Sequence, residues 1–225
     1  HEALHLPYEA ALSRQCHQGL WYDLSTHLPW LGIRTNQQHG AHIEFLRGIN
    51  NPIGIKIGPN TSPDALTQLI RKLNPNQATD RILLITRLGA QQVAHILPEL
   101  IQSIQTHQLP VTWSCDPMHG NTEHTKTGIK TRQFKHIWHE LEQTIRIHQT
   151  NQSHLGGIHL EVTPSPVTEC LGGLNGPTEA DLNKSYTSLL DPRLNKSQAL
   201  ELIKKLSSTS GLDQITNKEI DLNPR

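Results

Sequence analysis

Five β-type stretches of this 225-residue chain end in side chains of the kind that chemistry uses. Lys56 lies near the end of one and Arg87 ends the next. Asp116 and His119 follow a third, Glu161 is near the end of a fourth, and Asp191 follows the fifth. Arg34 stands just beyond an earlier apolar stretch. Arg34, Lys56 and Arg87 make a cationic set, since guanidinium offers a bidentate fork to phosphate oxygens and ammonium a point charge. His119, Glu161 and Asp191 make a mixed nitrogen and oxygen set, suited to a borderline divalent ion such as Mn²⁺, Fe²⁺, Co²⁺ or Zn²⁺. Cations beside a metal imply an anionic, phosphorylated substrate activated by a Lewis acid.

Taken singly, each residue has a plainer reading. A strand-end Lys or Arg is usually solvated or ion-paired, and one His among 15 is more often a surface residue. Cys115 and Cys170 read as small buried hydrophobes. His159 and Glu161 share a strand, and one of the two is expected to face away from any site. The recurrence at successive strand ends carries the reading.

The elements behind these positions alternate. Apolar residues at Leu4, Leu6, Tyr8, Ala11, Leu12 and Cys16 predict a helix over 2–18. Strands are expected at 28–32, 52–59, 81–87, 110–115, 157–162 and 186–190, with helices over 35–48, 62–73, 90–107, 130–148 and 195–206. Ser62 and Pro63 form a helix start, and Pro98 should kink the helix that contains it. Strands apolar on both faces and separated by helices mean a parallel sheet in an α/β domain. In such domains the carboxyl ends of the strands converge on one face, so residues far apart in sequence can share a pocket.

Composition excludes other classes. With 20 Lys+Arg against 20 Asp+Glu the chain has no excess of positive charge to attract nucleic acid or a membrane surface. No stretch approaches the roughly 18 apolar residues a spanning helix needs. The three cysteines, Cys16, Cys115 and Cys170, form neither a disulfide framework nor a zinc pattern. A reducing compartment follows, read as cytoplasmic, or as an organelle should a transit peptide precede His1.

These segments resemble the class II 3-deoxy-D-arabino-heptulosonate 7-phosphate (DAHP) synthases of the shikimate pathway. The anchors include Trp30-Leu-Gly-Ile-Arg-Thr35, Asn51-Pro-Ile-Gly-Ile-Lys-Ile-Gly-Pro59, Asp116-Pro-Met-His-Gly-Asn-Thr122, Lys130-Thr-Arg132, Gly156-Gly-Ile-His-Leu-Glu161, Val167-Thr-Glu-Cys-Leu-Gly-Gly173 and Asp191-Pro-Arg-Leu-Asn195. The resemblance implies an α/β (β/α)8 TIM barrel, of which about six of the eight units lie in residues 1–207, followed by a polar tail over 208–225. It implies condensation of phosphoenolpyruvate with erythrose 4-phosphate. His119, Glu161 and Asp191 would then be metal ligands, with Mn²⁺ the expected ion. Lys56 and Arg87 would hold phosphoenolpyruvate, and Arg34 a substrate phosphate; Lys56, Arg87 and His119 are the residues expected to carry catalysis.

The family's fourth ligand, a cysteine, and its Lys-Pro-Arg-Ser segment belong upstream of His1, and Ile33 stands where many members carry Glu. A barrel without its first two strands has open edges, so the chain alone is expected to be weak or inactive unless it forms a homo-oligomer or pairs with an N-terminal piece. Two other readings stay open: a non-catalytic remnant of the barrel, and a metal-dependent phosphosugar aldolase or lyase.

Overall fold

All five residues of Ile-Gly-Ile-Lys-Ile, from Ile53 to Ile57, are buried, as a strand covered on both faces requires. The computed structural model, which describes residues 1–209, places them within a five-stranded parallel sheet. In chain order the elements are α1 (Leu6–Leu12), β1 (Ser13–Gln15), β2 (Trp21–Asp23), β3 (Trp30–Leu31), α2 (Ala41–Gly48), β4 (Ile53–Ile57), α3 (Pro63–Leu73) and β5 (Ile82–Thr86). They continue as α4 (Val93–Thr106), β6 (Thr112–Cys115), β7 (Thr122–His124), β8 (Lys130–Arg132), α5 (Phe134–Thr150), β9 (Leu155–Ile158) and α6 (Lys196–Thr209). The sheet order is β3-β4-β5-β6-β9, and each neighbouring pair is parallel.

One face of this sheet is apolar and the other carries chemistry. Ile53, Ile55 and Ile57 of β4, with Ile82 and Leu84 of β5, join Leu66 and Ile70 of α3 and Leu97 and Leu100 of α4 in one buried cluster. Side chains alternate along a strand, so Gly54 and Lys56 take the opposite face. A Cβ on Gly54 would lie 2.8 Å from Cβ of Trp30, so the close approach of β3 to β4 requires glycine there. A second cluster joins Cys115 and Met118 to Phe134, Ile137 and Leu141 of α5 and Leu202 of α6. Cys115 and Cys170 are buried. Helix α3 starts as expected, with Ser62 Oγ accepting the Ala65 amide at 3.3 Å and Pro63 in the first position.

Several elements depart from expectation. The first helix ends at Leu12, because Ser13–Gln15 pairs antiparallel with Trp21–Asp23 across a turn closed by Gly19 at φ +77°. The second helix starts only at Ala41, since Gly40 is extended and the polar residues before it close local turns. Lys130–Arg132 pairs with Thr122–His124 instead of opening a helix, so α5 begins at Phe134. No strand forms at 186–190, where Leu189 and Leu190 are exposed and the Thr187 and Ser188 amides are taken by the Glu169 carboxylate. Pairing at the sixth position is made by Leu194 beside Val162, with the Leu194 amide donating to Glu161 O at 3.0 Å. Helix α6 continues to Thr209, and the rest of the expected tail lies outside the described residues. No helix among the described residues is long and apolar enough to cross a membrane.

Candidate active site

Arg34, Lys56, Arg87, His119, Glu161 and Asp191 line a single cavity of about 650 Å³ beyond the carboxyl ends of the sheet strands. The expected cationic set and the expected nitrogen and oxygen set therefore meet, while Asp116 lies buried behind them. Glu2, Trp30, Lys130 and His159 line it too. His159 and Glu161 both face the cavity, contrary to expectation, because residues two apart on an extended segment share a face.

Asp116 organises the first half of the site. It is fully buried, and its Oδ1 accepts the amides of Met118 (3.0 Å) and His119 (3.1 Å), which curls the chain after β6. Its Oδ2 accepts from His119 Nδ1 at 2.7 Å and from Lys56 Nζ at 2.5 Å. Nδ1 thus carries a proton, and Nε2 is the nitrogen turned toward the other acids. Burial opposes the charge on Asp116, but the His119 bond and the Lys56 ammonium outweigh it and hold the carboxyl far below the usual range. Burial likewise opposes charge on His119, and its bonds to Asp116 and Glu161 overcome this and raise it to about 9.

The two remaining acids are each held by one oxygen. Glu161 Oε2 is bonded by Nη1 of Arg132, a fully buried guanidinium that also reaches Pro192 O and, through Nε, Thr122 Oγ1 at 3.0 Å. Asp191 Oδ1 pairs with Lys130 Nζ at 2.5 Å. That leaves Glu161 Oε1 at 3.4 Å and Asp191 Oδ2 at 3.6 Å from His119 Nε2. One donor atom from each residue falls within 4.8 Å of the others. The donor set fits a divalent ion, which would replace the imidazolium charge among these carboxylates.

The cations sit beside it. Lys56 is buried, with Nζ 5.5 Å from the centroid of Trp30, whose ring also meets His159 edge-on at 5.1 Å. Arg87 Nη2 donates to His119 O at 2.7 Å, while its Nε is buried without a partner. Arg34 is mostly exposed at the rim, 4.0 Å from Glu2 Oε2. A Cβ on Gly32 would fall 2.0 Å from Glu2 Oε1, so Glu2 can lie across β3 only because residue 32 is glycine. The roles of Glu2, Lys130 and Arg132 depend on contacts across the fold. The signals for the latter two are the period-two spacing of Lys130 and Arg132 and their place in an anchor of the family resemblance.

Three cations, of which Lys56 is buried and Arg34 exposed, thus stand beside a three-donor cluster that could hold a metal ion, at the strand ends of a parallel sheet. Residues 1–207 match the Class-II DAHP synthetase family, and the chain belongs to that family. It is 48% identical over 219 residues to the phospho-2-dehydro-3-deoxyheptonate aldolase of Neurospora crassa, covering 90% of this chain and 46% of that protein. It is 43% identical over 208 residues to phospho-2-dehydro-3-deoxyheptonate aldolase AroG of Mycolicibacterium smegmatis, covering 90% of this chain and 45% of that one. The chain spans about half the length of these relatives. Among solved structures, a truncated form of 3-deoxy-D-arabino-heptulosonate 7-phosphate synthase from Thermotoga maritima is similar over 84% of this chain and 60% of its own, with 15% identity and a TM-score of 0.49.

Proposed function

We propose that this chain supplies the metal half-site and the phosphoenolpyruvate half-site of a 3-deoxy-7-phosphoheptulonate synthase, on six units of a (β/α)8 barrel spanning residues 1–207. The observation that carries this reading is the convergence of His119 Nε2, Glu161 Oε1 and Asp191 Oδ2 beside Lys56 and Arg87. Lys56 and Arg87 hold phosphoenolpyruvate, and Arg34 meets a substrate phosphate at the rim. Family membership and both relatives support the choice of substrates. The protein is placed in the cytoplasm, and a second copy or an N-terminal piece completes the barrel.

C3 of phosphoenolpyruvate attacks the aldehyde carbon of erythrose 4-phosphate, water adds at C2, and inorganic phosphate leaves from C2. His119, Glu161 and Asp191 would hold a divalent ion, Mn²⁺ first, with Co²⁺, Fe²⁺ or Zn²⁺ as substitutes. When bound, that ion supplies a Lewis acid that polarises or positions the aldehyde oxygen. Asp116 holds the Nδ1 proton and turns Nε2 of His119 toward Glu161 and Asp191, where the Nε2 proton would be displaced by a bound ion. Lys56 and Arg87 are fixed before substrate arrives, Lys56 by Asp116 and Arg87 by the His119 carbonyl, so they meet developing negative charge without reorganising. Holding two anions together against their repulsion supplies much of the remaining rate.

The test is phosphate release from phosphoenolpyruvate by the full-length protein in Mn²⁺, with and without erythrose 4-phosphate. Release that requires both substrates and the ion is expected, with the chain alone weak. Release indifferent to erythrose 4-phosphate sinks the synthase reading.

A further inference from the structure

Asp191 is carried by a segment that apolar packing does not hold. Residues 185–193 contain no helix or strand, and Leu189 and Leu190 beside Asp191 are 97% and 83% exposed. The segment is gathered instead on one side chain from another loop. Glu169 is fully buried, and its Oε1 accepts the amides of Thr187 (3.0 Å) and Ser188 (2.8 Å), Thr187 Oγ1 (3.3 Å) and Arg193 Nη2 (2.7 Å). Its Oε2 accepts the Arg193 amide and Nε, both at 2.9 Å. These anchor points lie on both sides of Asp191 in sequence. Ser188 Oγ, fixed by this arrangement, donates to Asp191 O at 2.7 Å. Glu169 is itself tied to the site from behind, because Thr131 Oγ1 donates to its carbonyl at 2.8 Å. Thr131 sits between Lys130 and Arg132, the residues that hold Asp191 and Glu161.

We propose that Glu169 is a positioning residue for the metal centre. It clamps residues 187–193 so that Asp191 Oδ2 stands opposite His119 Nε2 and Glu161 Oε1. The inference rests on the metal reading above and adds to it the device that sets one of the three ligands. A pair with Arg193 alone would neutralise the buried charge; the further bonds to Thr187 and Ser188 fix the backbone on the far side of Asp191. Partners that orient a ligand typically govern metal affinity by about 10- to 100-fold.

Glu169→Gln keeps the volume and places an amide nitrogen among donors, which loosens the clamp. The readouts are Mn²⁺ affinity by calorimetry on the metal-free full-length protein, and the visible absorption of the Co²⁺-substituted protein. Glu169→Gln is expected to bind Mn²⁺ about 10- to 100-fold more weakly, with an altered Co²⁺ spectrum. Ser188→Ala, which removes only the hydroxyl that reaches Asp191 O and the Leu190 amide, should weaken Mn²⁺ several-fold with unchanged thermal stability, and it decides the matter if Glu169→Gln fails to fold. Wild-type Mn²⁺ affinity and Co²⁺ spectrum in a folded Glu169→Gln protein would overturn the inference while leaving the metal site standing. If the wild type binds no Mn²⁺, or His119→Ala binds it as tightly as wild type, the metal reading falls and this inference with it.

Discussion

His119 Nδ1 and Lys56 Nζ share one oxygen, Oδ2 of Asp116, at 2.7 and 2.5 Å. A single buried carboxylate therefore orients the imidazole, with Nε2 toward Glu161 and Asp191, and pairs with the ammonium that lines the cavity. Asp116→Asn removes the charge that serves both. Mn²⁺ affinity should fall about 10- to 100-fold, and the phosphoenolpyruvate requirement should change along with it. Mn²⁺ titration of the variant checks this, and wild-type affinity would show that His119 is oriented by something else.

Arg132 is buried with three acceptors, Glu161, Pro192 O and Thr122 Oγ1. Arg132→Met leaves Glu161 and Asp191 facing each other with less positive charge between them. Arg132 is fully buried but Glu161 is 28% exposed, so solvent softens the loss, which should be about 1–3 kcal/mol. Urea unfolding should register that loss, and a change below about 1 kcal/mol would place Arg132 among the dispensable contacts.

The loops bearing Arg87 and His119 touch backbone to backbone. A Cβ on Gly120 would lie 2.4 Å from Gly89 N, and Glu140 stitches the same loops by accepting the Leu88 (2.8 Å) and Gly89 (2.9 Å) amides and Asn121 Nδ2 (2.7 Å). Gly120→Ala must push Arg87 away from His119. Overpacking of this kind costs roughly 1–3 kcal/mol, so phosphoenolpyruvate binding should weaken about tenfold in a direct titration.

What the sequence exposed and what it hid follow from the range of the contacts. The parallel strands were legible because burial on both faces leaves apolar runs such as Ile82–Thr86. So was the meeting of strand-end residues, since a parallel sheet sends them to one face. Leu189-Leu190 suggested a strand, yet no neighbour covers it and Glu169 claims the preceding amides. Lys130 and Arg132 stood in an anchor of the family resemblance, but their contacts with Asp191 and Glu161 were hidden, because their three-residue strand reads as a helix start. Glu2 and Glu169 act on residues about 20 to 30 positions away, and their own neighbourhoods carry no sign of it.

His148 sets a pH limit on the fold. It is buried edge-on to Trp113 at 5.4 Å, with Nδ1 3.0 Å from Ser153 Oγ and Nε2 without a partner. Burial, with His154 nearby, lowers it from 6.5 to about 4, because a proton on Nε2 would find no acceptor. Its folded value lies below its unfolded one, so protons favour the unfolded chain. Stability from this group is complete above about pH 6.5 and declines as pH falls toward 4, by about 3 kcal/mol in all. Urea midpoints of wild type and His148→Gln across that window should converge as pH drops; parallel curves would clear His148 of the effect.

Trp30 stands with its ring 5.5 Å from Lys56 Nζ and 5.1 Å from the His159 ring. Indole emission responds to the electric field around it, so an anion arriving at Lys56 changes the colour and yield of this fluorophore. The cavity is thus wired to an intrinsic optical probe, and its filling can be followed in the unlabelled protein in real time.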